Sequence, residues 1–378
     1  MSRSLLPAVL SALLAALLSA CSLPAAQGPA PATLPYQLKV VAEGLEFPWS
    51  LAFLPDGRML VTERPGRLRI IARDGSLSPP VTGVPAVFAK RQGGLLDVVL
   101  DPAFERNALV YLSYSEGDVL GMAGTAVARG KLVDNALTEV EVIYRQFPKA
   151  EGGLHFGSRL VFAQDGTLFI TQGDRYIHKE GAQDLATDYG KVVRINPNGS
   201  IPLDNPFVRN PAARPEIWSY GHRNLQGAAL HPKTGALWTH EHGAMGGDEI
   251  NLDEAGRNYG WPVITWGVDY DGSKIGEGTT RDGMQQPLHY WVPSIAPSGM
   301  AFYTGDAFPQ WRGSLFVGSL KFGYLDRISL DGNRIVGEQQ LLTEIGERIR
   351  DVRVGPDGYV YVTTDLKQGR VLRLEPPQ

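Results

Sequence analysis

The 378 residues carry 36 Lys and Arg against 40 Asp and Glu, a formal charge of −4, which excludes a basic surface built for nucleic acid. With 43% hydrophobic residues a large core is readily built, and 44 glycines with 27 prolines suit many short strands joined by turns. One cysteine excludes an internal disulfide.

Residues 1–20 read as an export signal. Arg3 gives the positive start and Leu5 to Leu18 an apolar run, shorter than the roughly 20 residues that cross a bilayer. Leu18-Ser19-Ala20-Cys21 resembles the lipobox of bacterial lipoproteins, which implies that Cys21 is acylated and that the lipid is the only membrane attachment. A plain secretory signal with an incidental cysteine is the alternative. Ser22 after the cysteine favours, in that resemblance, the periplasmic side of the outer membrane. Residues 21–35 follow as a Pro/Ala tether, and 36–378 as one folded domain.

From Tyr36 onward six segments share a pattern of apolar triplet, turn and second strand, with no amphipathic helix of ordinary length. Taking the third apolar residue of each as anchor gives Phe53, Leu100, Phe162, Leu230, Phe302 and Val354, at separations of 47, 62, 68, 72 and 52. A unit of about 45 residues is what a four-stranded propeller blade needs. The expected fold is therefore all-β, a six-bladed β-propeller of four-stranded antiparallel blades. Too little chain follows Val354 to finish a blade, so the strand at Tyr36–Ala42 is expected to close the ring and remove two exposed edges.

The third repeat holds the stretch Gly152 to Asp174, in which Asp165-Gly166 marks a hairpin and a glycine-rich approach carries His155. His155 and Arg223 lie seven positions before their anchors, Asn224 and Arg348 six, Gln92 eight and Arg350 four. Equivalent positions of a propeller come round to one mouth of the central channel, so these polar side chains are expected to converge there.

Seven ordered motifs then resemble one family: RQGGLLDVVLDPAF, GGLHFGSRLVF, SYGHRNLQGAALHP, EHGAMGGDEIN, NYGWP, GSLKFGYLDRI and RIRDVRVGPDG. They closely resemble the bacterial PQQ-dependent aldose sugar dehydrogenases, relatives of soluble glucose dehydrogenase, over essentially everything from Tyr36 on. The resemblance implies a six-bladed propeller. It implies that pyrroloquinoline quinone (PQQ), a planar ortho-quinone with three carboxylates, is held by Gln92, Arg223, Asn224, Lys321, Arg348 and Arg350, with Tyr270 at the sugar opening. Cations, bidentate Arg above all, suit such a ligand. It further implies one calcium held by the backbone carbonyls of Gly243 and Ala244, where Ala244 replaces the family's usual proline. A further calcium in close relatives matches Glu249 and Tyr259.

The implied reaction is oxidation of an aldose sugar at C1 to the lactone, with neutral His155 as general base, hydride transfer to PQQ and electrons passed to an external quinone or cytochrome. Two other classes stay open: a calcium-dependent lactonase, which should carry metal-ligating Glu, Asn and Asp around the axis, and a surface-anchored propeller that binds sugars without turnover.

Overall fold

In the computed structural model the described residues run from 35 to 377, so the expected signal, nearly all of the tether and the lipidation site Cys21 lie outside them. The first strand, β1 (Gln37–Leu45), is followed by β2 (Pro48–Phe53), β3 (Met59–Glu63) and β4 (Arg67–Ile71). The second repeat supplies β5 (Leu95–Leu100), β6 (Leu109–Gly117), β7 (Ala123–Val133) and β8 (Ala136–Arg145). The third supplies β9 (Leu160–Phe162), β10 (Leu168–Thr171), β11 (Lys191–Ile195) and β12 (Ile217–Tyr220). The fourth supplies β13 (Leu225–Leu230), β14 (Leu237–Glu241), β15 (Asp248–Asp253) and β16 (His289–Trp291). The last two supply β17 (Pro297–Phe302), β18 (Leu315–Ser319), β19 (Leu325–Asp331) and β20 (Arg334–Leu341), then β21 (Ile349–Val354), β22 (Val360–Thr364) and β23 (Gly369–Glu375).

Every ladder is antiparallel, and the sheets are the six blades of a propeller. All six expected anchors end the innermost strand of a blade: Phe53, Leu100, Phe162, Leu230, Phe302 and Val354 close β2, β5, β9, β13, β17 and β21. β1 lies against β23 with Gln37 opposite Glu375, so the start of the chain completes the sixth blade as its outermost strand. One refinement concerns the first blade. Its ladder has three strands, and the fourth is reduced to a single bridge between Ile71 and Leu77, because Pro79 and Pro80 interrupt the segment that would continue it.

The core sits between blades. One apolar cluster joins Leu60 and Leu68 of the first blade to Val98 and Leu112 of the second; another joins Tyr111 and Val127 of the second to Leu168 and Val193 of the third. Clusters of the same kind fill the other four seams. Each seam buries branched and aromatic side chains from two sheets, which is how stacked sheets stabilise one another.

The axis is polar and bonded across. Arg159 donates to Asp97 (3.0 Å) and pairs with Asp351 (3.1 Å), while Arg353 pairs with both acids (2.9 and 2.8 Å). Ser50 donates to Asp97 at 2.5 Å. These residues come from the innermost strands of the first, second and sixth blades and from the residue just before β9, so the network pins four blades to one another. The Trp49 ring rests on the Arg159 guanidinium, 4.4 Å from it, and forms the floor of the cavity above.

Candidate active site

Innermost strands of a propeller all run the same way along the axis, so residues just before them share one mouth. Each second strand runs back, so residues just after it reach that same mouth. The first set here is Phe47, Gln92, His155, Arg223 and Asn224, Ala296 and Arg348; the second is Arg64, Asp174, Gly243, Lys321 and Asp365. The sequence expectations rest mainly on the first offset, which does not reach Arg64, Asp174 and Asp365. The second offset was the available signal.

A cavity of about 790 Å³ opens at this mouth, lined among others by Gln92, Asn224, Gly243, Ala244, Tyr270, Lys321, Arg348 and Arg350. His155 and Arg223 stand behind its wall rather than in it: Phe156, Gly157 and Asn224 line the cavity beside them. Glu249 and Tyr259 lie outside it.

His155 is 5% exposed and held on every side. Its Nδ1 is 2.6 Å from Asp174 Oδ1, and Gln92 Oε1 accepts its backbone N–H at 2.8 Å. Asp174 also accepts from the Tyr176 N–H (2.7 Å) and from the Trp261 indole N–H (2.8 Å). Burial pushes the Asp174 carboxyl up, but His155, the Arg223 charge and the Tyr176 N–H together bring it below the ordinary aspartate value. It is therefore an acceptor, which places the imidazole proton on Nδ1 and leaves the Nε2 lone pair without a partner among the described residues. Burial lowers the His155 pKa, Asp174 opposes that, and Arg223 and Arg175 lower it further, for a net value below the ordinary one.

The opposite wall is cationic. Arg348 and Arg350 both pair with Asp365 (3.1 and 3.0 Å), and Arg350 also donates to Gln226 Oε1 at 3.1 Å. Asp365 is brought down to about 2: burial raises it, but Arg350, Arg348 and Arg64 outweigh burial. Lys321 makes no ion pair among the described residues, and its ammonium lies 5.1 Å from the Phe322 ring. The lining thus sets Arg64, Lys321, Arg348 and Arg350 against the one carboxylate of Asp365. Buried Nε of Arg350 and of Arg223 and Nδ2 of Asn224 have no acceptor among the described residues.

Between the walls, the loop after β14 is shaped by glycine and Asp248. A Cβ on Gly243 would meet the Gly246 carbonyl at 2.1 Å, and Gly246 and Gly247 sit at φ 80 and 73. Asp248 accepts from the N–H groups of Gly243, Ile295 and Ala296, joining this loop to the fifth blade. The Gly243 carbonyl takes Arg223 Nη1 at 2.5 Å, while that of Ala244 accepts no hydrogen bond among the described residues. Arg223 Nη2 also donates to the Tyr270 hydroxyl at 3.2 Å.

Glu249 lies against Glu241, and Asn251 Nδ2 reaches each carboxylate at 3.4 Å. Burial, then the Glu241 charge, raises the Glu249 carboxyl well above the ordinary value. Tyr259 does not meet it through its phenol, whose oxygen accepts the Glu254 N–H at 2.8 Å and donates to the Leu252 carbonyl.

The chain matches the glucose/sorbosone dehydrogenase family model over residues 45–373. It is 49% identical over 352 residues to the aldose sugar dehydrogenase YliI of Escherichia coli (strain K12), covering 92% of this chain and 94% of that one. The crystal structure of the soluble aldose sugar dehydrogenase from Escherichia coli in the apo-form superposes with a TM-score of 0.89 at 48% identity, covering 90% of this chain and all of the other. The PQQ-bound form of an aldose sugar dehydrogenase from Streptomyces coelicolor gives 0.74 at 27% identity, over 90% and 98%.

Proposed function

The chain belongs to the glucose/sorbosone dehydrogenase family, and from that premise we propose that it oxidises aldose sugars at C1 with PQQ and calcium, His155 acting as the base. It is an oxidoreductase of the quinoprotein sugar dehydrogenase type. The observation that carries the fuller reading is the pairing, around one cavity, of a carboxylate-held imidazole with a wall of cations in excess of acids.

That wall suits PQQ. Lys321, Arg348, Arg350 and Arg64 supply charge for a tricarboxylate, the donors of Asn224 and Arg350 that lack a partner among the described residues supply hydrogen bonds, and Phe47, Trp49 and Phe156 supply flat apolar surface. The free Ala244 carbonyl at the cavity edge suits a hard cation, and the loop that presents it is fixed by Asp248. Glu249 with Glu241 is a second place where a cation would relieve two facing carboxylates, one buried and one half-buried, with Tyr259 contributing at most its backbone oxygen. When bound, PQQ polarised by calcium supplies the acceptor for the hydride of sugar C1.

The protein's part is proton handling and placement. His155 Nε2 takes the proton of the C1 hydroxyl, and ionised Asp174 keeps Nδ1 protonated and stabilises the imidazolium that forms. Tyr270, 55% exposed and braced by Arg223, stands at the sugar's way in. With PQQ held there, an external acceptor, a quinone or cytochrome, would take up the electrons. The export signal at residues 1–20 and the tether at 21–35 complete the reading: acylated Cys21 would hold the domain on the periplasmic side of the outer membrane, and Cys21→Ala should then release it to the soluble fraction.

Loading the apoprotein with PQQ and calcium and following dye reduction across a panel of aldoses tests the activity. Dye reduction that needs both additions and a sugar is expected. No sugar-dependent reduction with any aldose would remove the dehydrogenase reading and leave a binding propeller.

A further inference from the structure

Arg175, next in sequence to Asp174, is a guanidinium only 1% exposed that makes no ion pair among the described residues. A buried, unpaired cation is costly unless its donors are satisfied and its position serves something. Here Nη1 donates to the Leu154 carbonyl and Nη2 to the Gly152 carbonyl at 3.0 Å, and the guanidinium lies 3.7 Å from the centroid of the Phe156 ring, while the buried Nε has no acceptor among the described residues. It therefore grips the residues on both sides of His155.

The gripped backbone is one that side chains resist. His155 and Ser158 sit at φ 52 and 89, and Arg175 and Tyr176 at 58 and 69. Two loops, one carrying the base and one carrying its carboxylate, thus each hold two non-glycine residues in the left-handed region, which persists only where the surroundings dictate it. The left-handed turn at Arg175 and Tyr176 accompanies the inward burial of Arg175. Tyr176 is left 42% exposed, its ring edge-on to His155 at 5.2 Å.

We propose that Arg175 is the positioning residue of the base: by tying Gly152 and Leu154 to the loop of Asp174, it sets the backbone that aims the His155 ring. The inference rests on the reading of His155 as general base. The clamp also brings charge. The groups facing the imidazole are Asp174, Tyr176, Arg223, Arg175 and, from the fourth blade, His242. Among these the two arginines oppose imidazolium and Asp174 favours it. An uncompensated Arg175 therefore helps keep the base free of a proton before substrate arrives.

The test uses the full chain loaded with PQQ and calcium. In Arg175→Gln the charge is gone and the clamp is shortened, so kcat should fall at least about tenfold, and the acid limb of kcat/KM should move to higher pH because the imidazole is easier to protonate. The PQQ concentration needed for half saturation should stay within about twofold of the parent's. Arg175→Lys keeps the charge but reaches fewer acceptors, so its acid limb should stay in place while kcat is lower. Parent-like kcat and acid limb in both variants overturns the proposal. So does a lowered Tm with an unmoved pH profile in the glutamine variant, the mark of a merely structural residue. If that variant does not fold, the lysine variant decides alone, and parent kcat there overturns the proposal. His155→Ala run alongside separates the two readings. Near-parent turnover in it removes the base assignment itself, whereas its loss together with parent behaviour in both Arg175 variants removes only the assignment of Arg175.

Discussion

The two sides of the cavity, the buried pair behind one wall and the cations lining the other, are built on opposite principles. On the third-blade side every side-chain polar atom of the His155–Asp174 pair except Nε2 already has a partner among the described residues, and the pair is buried. On the sixth-blade side the cations outnumber the acid, the Arg348 side chain is 49% exposed, and Lys321 has no counter-ion among the described residues. A group that must act on a reacting atom is held before the ligand arrives, whereas groups that must receive a polyanion stay incompletely satisfied. The difference predicts that damage to the first wall shows in rate and damage to the second in affinity.

The largest effect tests that split directly. His155→Ala should still take up PQQ and calcium, with a bound-cofactor spectrum, but reduce the quinone with sugar roughly 10²–10⁴-fold more slowly. Near-normal turnover on every sugar the parent oxidises would erase the distinction between the walls. Asp174→Asn should cost on the order of 10² in kcat, since the amide can present the wrong partner to Nδ1. Removing its negative charge also makes the imidazolium harder to form, so the acid limb should move to lower pH, opposite to Arg175→Gln.

On the other wall, Lys321→Ala or Arg348→Ala should raise the PQQ concentration required for activity by about 10- to 100-fold, with part of the rate recovered at saturation. A fall in rate that no PQQ concentration relieves would place these cations with the base instead. The smallest effect is on stability. Asp365 has its carboxyl depressed to about 2, so its contribution is present above the ordinary carboxylate range near 4 and fades as the pH falls toward 2. Asp365→Asn should therefore lower apoprotein stability at neutral pH by about 2 kcal/mol, read by denaturant unfolding, and differ little from the parent near pH 2. Bound PQQ should narrow that gap by giving the arginines another anion; an equal gap with and without PQQ would count against the cationic wall as its seat.

Much of this was legible because a propeller repeats. The apolar anchors lie at the ends of the innermost strands, and Gln92, His155, Asn224 and Arg348 lie six to eight positions before them. The partners were harder to see. Asp174 and Asp365 follow the second strands, and an Asp beyond a strand end looks like any turn residue until the fold brings His155 or Arg350 onto it. Arg175 offered still less, since an arginine in a polar loop reads as solvent-exposed, and only the left-handed turn at Arg175 and Tyr176 puts it inside. The three-stranded first blade was hidden because its loop spacing was compatible with a fourth strand, and only Pro79 and Pro80 argued otherwise.

The pairing of β1 with β23 also sets a timetable. Gln37 is made before any of the six blades, yet its partner Glu375 belongs to the last strand of the sixth. During synthesis the first strand must wait until all six blades have been made, and closure depends on contacts far apart in sequence, the kind that form late and slowly. β1 is suited to the wait: Lys39 and Glu43 point to solvent, and only Ala42 and Leu45 of its residues are fully buried once docked. A strand so charged resists pairing with strangers while it is alone. A nascent chain cut short anywhere before Gly369 would keep that strand unlatched, and so reveal itself to proteases as unfinished.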